Sequence, residues 1–432
     1  MAVTASTKHS SFSITSCLRS SSSSSNPPSP SFSVLSPSAI TSLLKQTTLH
    51  IPDLTPLFRR WPSALSPHYP GLARNFDKTL DKLFSSSPNV SPARAAVVRQ
   101  KMAEINIPLF ASLWWPSSSL PKLEAMAEYT LWLFLWDDDL DGANSAPESE
   151  DTPPASPTRQ SGHGSDQSEL EELSQRVLEY AKHHLGVSVD TDTTAEEAPT
   201  EVTKIARAPL NALRESGNWG MVKRLMGELE FYMECCGTEQ KYLNTRIPAA
   251  HTEGREREEE EKLPGVQEYW DCRMGTSAVG TYAALTEYMI GVELPNEIFE
   301  MLEMKTMWFE VNRNISYIND TISLKKELNS SLHSLIPVTM TETGQEPQDI
   351  INGFVLALQT SAENFDRAAE SLMAEVANKK QYTDRVRLDV QEYIDGLRFM
   401  MTGSFYWSLA SDRYDVARYI QENRSLVIPL MT

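Results

Sequence analysis

The sequence predicts an all-α fold, a single large bundle of about ten helices. Three observations predict it. From about residue 70 onward apolar residues recur at three- and four-residue steps, and few stretches alternate with the period of two that strands need. Hydrophobic residues make up 40% of 432 positions, enough for a substantial buried core. No internal repeat divides the chain, and no run reaches the length of about 18 apolar residues that a membrane-spanning helix requires.

Each element has its own signal. Ser91-Pro92 supplies an N-cap followed by proline at the first helical position, opening a helix through about Ile105. Pro121 to Trp136 carries Leu123, Ala127, Thr130 and Phe134 on one stripe. Residues 143–168 turn to Ser, Pro, Gly and charge, the composition of a surface insert. Helical patterns return at Leu170–Leu185 and Trp219–Leu243. A second polar insert spans residues 251–262, where Glu258 to Glu261 reads as a solvated tract. Helices are then expected near Gly265–Leu285, Asn296–Glu327, Gln348–Lys379 and Thr383–Met401. Residues 1–52 are Ser-rich, hold no Asp or Glu, and carry Lys8, Arg19 and Lys45. They are expected to form a disordered tail, although the composition overlaps with an organellar transit peptide.

The net charge of −19 argues against nucleic acid and anionic membrane as partners. An anionic substrate would therefore need local basic residues, which gives Arg273, Lys325, Lys326 and Arg413 more weight than the bulk charge. Cys17, Cys235, Cys236 and Cys272 have neither C-x-x-C spacing nor a histidine cluster, which excludes a zinc site or a disulfide framework as the organising feature. Buried free thiols fit a reducing compartment.

Two strings carry the chemistry. The first, Asp137-Asp138-Asp139-Leu140-Asp141, ends the helix begun at Pro121, and Asp137 and Asp141 continue its apolar stripe. Acids at a helix C-terminus oppose the macrodipole by about 0.3–1 kcal/mol each. Crowded carboxylates also repel, so a cation is expected to offset them. The same residues offer a rival: Asp137, Asp139, Asp141, Gly142 and Glu148 match an EF-hand calcium loop. Against it, Asn144 stands where an apolar residue belongs, and Pro153, Pro154 and Pro157 interrupt the exit helix.

The second string is Asn319-Asp320-Thr321-Ile322-Ser323-Leu324-Lys325-Lys326-Glu327. Asn319, Ser323 and Glu327 follow i, i+4, i+8 spacing, so they fall within about 80° of one another on a helix. Met301, Met304, Trp308 and Ile315 share that side and mark it as core-facing. A carboxamide oxygen, a hydroxyl and a carboxylate converging there suit Mg²⁺, a hard cation that keeps sites for water and phosphate oxygens.

The two strings together resemble the Asp-rich motif and the Asn/Ser/Glu triad of class I terpene cyclases, especially the single-domain sesquiterpene synthases of fungi and bacteria. Arg273, which lies 46 residues before Asn319, resembles the diphosphate-sensing arginine of that family, and Arg413-Tyr414 resembles its C-terminal diphosphate-binding pair. The family often has a second arginine beside the sensor, where this chain has Met274.

The resemblance implies the class I terpenoid synthase bundle over roughly residues 55–425. It also implies three Mg²⁺ ions, with Asp137 and Asp138 or Asp141 holding two and Asn319, Ser323 and Glu327 the third. Arg273, Lys326, Arg413 and Tyr414 would grip the diphosphate of a prenyl substrate, most simply farnesyl diphosphate and next geranylgeranyl diphosphate. Phe110, Phe134, Trp308, Tyr317 and Trp407 are candidates for an aromatic lining around the cation. A chain-elongating prenyltransferase would use two Asp-rich motifs, and a protonation-initiated cyclase a D-x-D-D string absent here. The resemblance further implies a cytoplasmic enzyme, monomeric or homodimeric, with no membrane span.

Overall fold

The computed structural model describes residues 35–86, 92–142, 167–187, 196–244, 246–248, 259–328 and 330–431. In chain order the elements are α1 (Pro37–Lys45), β1 (Thr48–Ile51), α2 (Thr55–Phe58), α3 (Tyr69–Ser86), α4 (Pro92–Ile105), α5 (Ile107–Trp114), α6 (Leu120–Gly142), α7 (Gln167–Leu185), α8 (Arg207–Glu215) and α9 (Trp219–Asn244). They continue with β2 (Arg246–Pro248), β3 (Glu259–Glu261), α10 (Val266–Thr276), α11 (Val279–Ile290), α12 (Asn296–Phe299), α13 (Leu302–Glu327), α14 (Leu335–Thr343), α15 (Pro347–Asn378), α16 (Asp384–Ala410) and β4 (Leu426–Pro429). The all-α expectation holds, since among the described residues the strands form only two small antiparallel pairs, β1 with β4 and β2 with β3. No helix among the described residues is long and apolar enough to cross a membrane.

Helix α13 is the axis of the bundle. It packs along α15 and α16 and also touches α10, α11 and α14. From Glu310 to Leu324 nearly every residue is buried, including Asn312, Asn314, Ser316, Asp320, Thr321 and Ser323. A helix enclosed on all sides is normally apolar. Asn312 and Asp320 are satisfied by neighbours, whereas Asn314 Oδ1 and the Thr321 and Ser323 hydroxyls are not, and an unpaired buried polar group is destabilising by about 1–3 kcal/mol.

Several boundaries depart from expectation. The stretch expected as one helix over Gly265–Leu285 is two, broken at Ser277–Ala278, where Ala278 takes a left-handed conformation (φ 56°). Asn312 of α13 braces the break: its amide donates to the Met274 carbonyl (2.7 Å) while its oxygen accepts from the Ser277 hydroxyl (2.8 Å). The helix expected over Asn296–Glu327 is likewise split, because Met301 is extended and caps α13 instead of lying in it.

The tail expected over residues 1–52 is too long. Residues 37–45 are helical, and β1 pairs with the C-terminal strand, Leu49 opposite Ile428, with Leu49 and Ile51 fully buried. Residues 1–34 lie outside the described residues, as does the insert expected at 143–168 except for the start of α7. The Glu-rich insert is not wholly irregular, since Glu259–Glu261 pairs with Arg246–Pro248 as β3.

Candidate active site

A cavity of about 160 Å³ opens among α5, α6, α9, α10, α11, α13 and α16 and the turn that follows α16. Aromatic rings form much of its wall. Phe110 and Trp114 of α5 stand 4.2 Å apart, and both rings lie within 5.6 Å of Tyr282 of α11. Trp407 of α16 packs edge-on against Phe110 at 5.4 Å, and its indole nitrogen donates to the Ile105 carbonyl (2.7 Å). Leu133, Phe134, Tyr232 and Ile315 complete the apolar lining, and the α10–α11 break contributes Thr276, Ser277, Ala278 and Val279.

Charged and polar groups share this wall: Asp137, Arg273, Asn319, Arg413 and Tyr414. Asp137 follows Leu133 and Phe134 by one turn, which is how α6 passes from apolar lining to carboxylate. Arg413 lies over the Phe134 ring (4.8 Å) and beside its neighbour Tyr414 (5.6 Å).

Arg273 is the hub. Its Nη2 donates to Asn319 Oδ1 (2.7 Å) and to Asp320 Oδ1 (2.8 Å), and its Nε donates to the same Asp320 oxygen (3.1 Å). Asn319 in turn donates from Nδ2 to the Tyr414 hydroxyl (2.7 Å). Arg273, Asn319 and Tyr414 are thus joined in one hydrogen-bonded chain. Burial by itself would lower the Arg273 pKa, but the Asp320 carboxylate more than reverses this, so the guanidinium stays charged. Burial raises the Tyr414 phenol, which keeps it a neutral donor and acceptor.

The rest of the triad follows along α13. The Ser323 hydroxyl is buried without a well-formed hydrogen bond, although it lies close enough to Glu327 to favour that carboxyl's charged form. Burial first, and then the Asp320 charge, raise the Glu327 carboxyl above its ordinary range. An unsatisfied buried hydroxyl beside a carboxyl that burial disfavours as an anion is what an absent cation would leave behind, so these residues fit a hard divalent ion. Asn319 would have to exchange Arg273 for that ion. Of the triad, only Asn319 lines the cavity. Among the described residues no three His, Cys, Asp or Glu side chains gather as a metal site; the donors here are mixed in type, and the side chains of Asp138 and Asp141 lie outside the described residues. Lys326 retains exposure, yet surrounding protein and the Arg413 cation lower its ammonium toward about 8, an effect that its contact with solvent tempers.

Two aromatic candidates are corrected. Trp308 donates to the Tyr393 hydroxyl (2.9 Å) and packs on Phe299, away from the cavity. Tyr317 packs between Trp270 and Phe354. Sequence reasoning missed Trp114, Tyr232 and Tyr282, none of which sits near a recognisable motif. It also missed Asp320 and Tyr269 as holders of Arg273, although Tyr269 is four residues before Arg273 on one helical face. The calcium-loop alternative fails on geometry: α6 continues without interruption through Asp137 to Gly142, where such a loop would have left the helix.

The chain is similar to known proteins over most of its length. The sesquiterpene cyclase hepA of Aspergillus oryzae is 28% identical over 389 residues, covering 89% of this chain and 94% of its own. Pristinol synthase of Streptomyces pristinaespiralis is 23% identical, covering 70% of this chain and 71% of its own. The crystal structure of germacradien-4-ol synthase from Streptomyces citricolor shares the fold with a TM-score of 0.56 at 16% identity, over 84% of this chain and 98% of that one. Residues 128–355, which include Asp137, Arg273 and the Asn319–Glu327 string, match the metal-binding C-terminal region of terpene synthase family 2, and the chain belongs to that family.

Proposed function

We propose that this terpene synthase ionises farnesyl diphosphate and cyclises the resulting cation to a sesquiterpene, releasing diphosphate. The observation that carries this reading is one cavity whose wall joins Asp137, Arg273, Asn319, Arg413 and Tyr414 to Phe110, Trp114, Tyr282 and Trp407. A family with a metal-binding domain acts on its prenyl diphosphate with a divalent metal. We assign two Mg²⁺ ions to Asp137 with Asp138 or Asp141, and a third to Asn319, Ser323 and Glu327. When bound, Mg²⁺ neutralises charge on the diphosphate and makes it a better leaving group.

The chain's own residues do the rest. Arg273, Lys326, Arg413 and Tyr414 hold the diphosphate oxygens, stabilising charge that grows as the C–O bond breaks and its electron pair moves to the leaving group. No protein nucleophile is required. The apolar wall excludes water, which would trap the allylic cation as an alcohol. Ring faces of Phe110, Trp114, Tyr282 and Trp407 offer negative potential to the migrating positive charge. The sesquiterpene cyclase among the relatives supports a C15 chain over C20. The Asn/Ser/Glu second motif supports cyclisation over chain elongation. Buried free thiols at Cys235, Cys236 and Cys272 support a cytosolic setting.

The test is incubation of purified protein with C10, C15 and C20 diphosphates in Mg²⁺, followed by gas chromatography–mass spectrometry. A cyclic C15 product is expected. Turnover confined to geranylgeranyl diphosphate, or longer linear diphosphates as products, would refute the reading.

A further inference from the structure

We propose that Tyr269 is a positioning residue for the diphosphate-sensing Arg273, acting through Asp320. The proposal rests on the reading of Arg273 as a diphosphate ligand and names what places it. Tyr269 and Arg273 lie four residues apart on α10 and both reach Asp320 of α13. The Tyr269 hydroxyl donates to Asp320 Oδ2 at 2.6 Å, while Arg273 Nε and Nη2 both donate to Oδ1. The Asp320 side chain is 3% exposed and that of Arg273 16% exposed.

This is an unusual way to pair arginine with a carboxylate. The preferred arrangement is a fork in which two N–H groups meet two oxygens. Here Tyr269 takes the second oxygen, so Arg273 is confined to one. That geometry leaves Nη2 free to bridge to Asn319 and keeps the guanidinium on the cavity wall. Without the Tyr269 hydroxyl, Asp320 turns and engages Arg273 with both oxygens. The guanidinium is then held more tightly by protein and offered less to the ligand.

The experiment is calorimetric titration of the full chain with inorganic diphosphate in saturating Mg²⁺, on wild type, Tyr269→Phe and Asp320→Asn, each first shown to melt cooperatively. Tyr269→Phe keeps the ring and its packing. Diphosphate affinity should fall about 10–100-fold in this variant, the range typical when a residue orienting a ligand-binding group is removed. A purely structural role would lower the melting temperature and leave the affinity of the folded protein unchanged, and that result overturns the proposal. Should Tyr269→Phe fail to fold, it is made in the Asp320→Asn background and compared with Asp320→Asn alone: unchanged diphosphate affinity supports action through Asp320, and a further fall refutes it. Failure of wild type itself to bind diphosphate would instead overturn the proposed function, so the two are distinguishable.

Discussion

Replacing Asn319 by leucine tests whether the triad is chemical or structural. The substitution removes two hydrogen bonds, one from the charged Arg273 and one to the Tyr414 hydroxyl. The first contributes about 1.5–3 kcal/mol and the second about 0.5–1.5 kcal/mol. Leucine returns about 1–2 kcal/mol through apolar contact, because the site is half-buried. The net destabilisation is then about 1–3 kcal/mol, within the ordinary range for a point substitution. The fold should survive with a lowered melting temperature. Turnover should fall much further, by about 10²–10³-fold, as when one preorganised group facing developing charge is lost. Circular dichroism, thermal melting and steady-state turnover with farnesyl diphosphate measure both quantities. Asn319→Asp, which keeps an oxygen toward Arg273, should retain more activity than the leucine variant. A folded Asn319→Leu protein with turnover within threefold of wild type would refute the reasoning.

Two glycines give opposite forecasts from the same substitution. At Gly403 of α16 an added methyl would lie 2.8 Å from Trp114 Cδ1 and 2.9 Å from the Leu113 carbonyl, so α5 must shift; overpacking of about 1–3 kcal/mol exceeds the roughly 1 kcal/mol gained in helix propensity. Gly403→Ala should melt lower and alter the product mixture, whereas Gly353→Ala, with nothing within 4 Å, should melt higher; the reverse order in calorimetry would show the packing argument to be wrong. Burial raises the Glu228 carboxyl from its ordinary 4.5 to about 7, so the folded protein holds a proton between those values that the unfolded chain releases. Stability therefore declines as pH rises through that window, and Glu228→Gln should flatten the decline; parallel pH profiles of melting temperature for the two proteins would contradict it.

Much of the architecture was legible because a 3.6-residue period survives in long amphipathic helices. The breaks were not. Ser277-Ala278 contains neither glycine nor proline, and Ala278 occupies its left-handed conformation while Asn312, more than 30 residues away, holds both sides of the kink. The start of the ordered body was missed for a similar reason, since Thr48–Ile51 is a strand by virtue of pairing with Leu426–Pro429. In the site, Asn319 and Arg273 stood in recognisable strings, and the structure joins them. Trp308 misled for a geometric reason: it lies within about 20° of Asn319 around the helix but about 16 Å away along it. Tyr317 is about 200° around from Asn319 and so faces the opposite side. Azimuth is readable from spacing, but axial level relative to a cavity depends on where neighbouring helices cross. Trp114, Tyr232 and Tyr282 reach the cavity from three such neighbours.

In the proposed mechanism one cavity couples metal-assisted loss of diphosphate to cyclisation. The most direct measurement follows inorganic diphosphate and hydrocarbon product together, from purified protein and farnesyl diphosphate, with Mg²⁺ and with chelator. One diphosphate should be released per cyclic C15 product, and neither should form once the metal is chelated. Cyclic product at an undiminished rate in chelator, or diphosphate released with only linear farnesol formed, would contradict it.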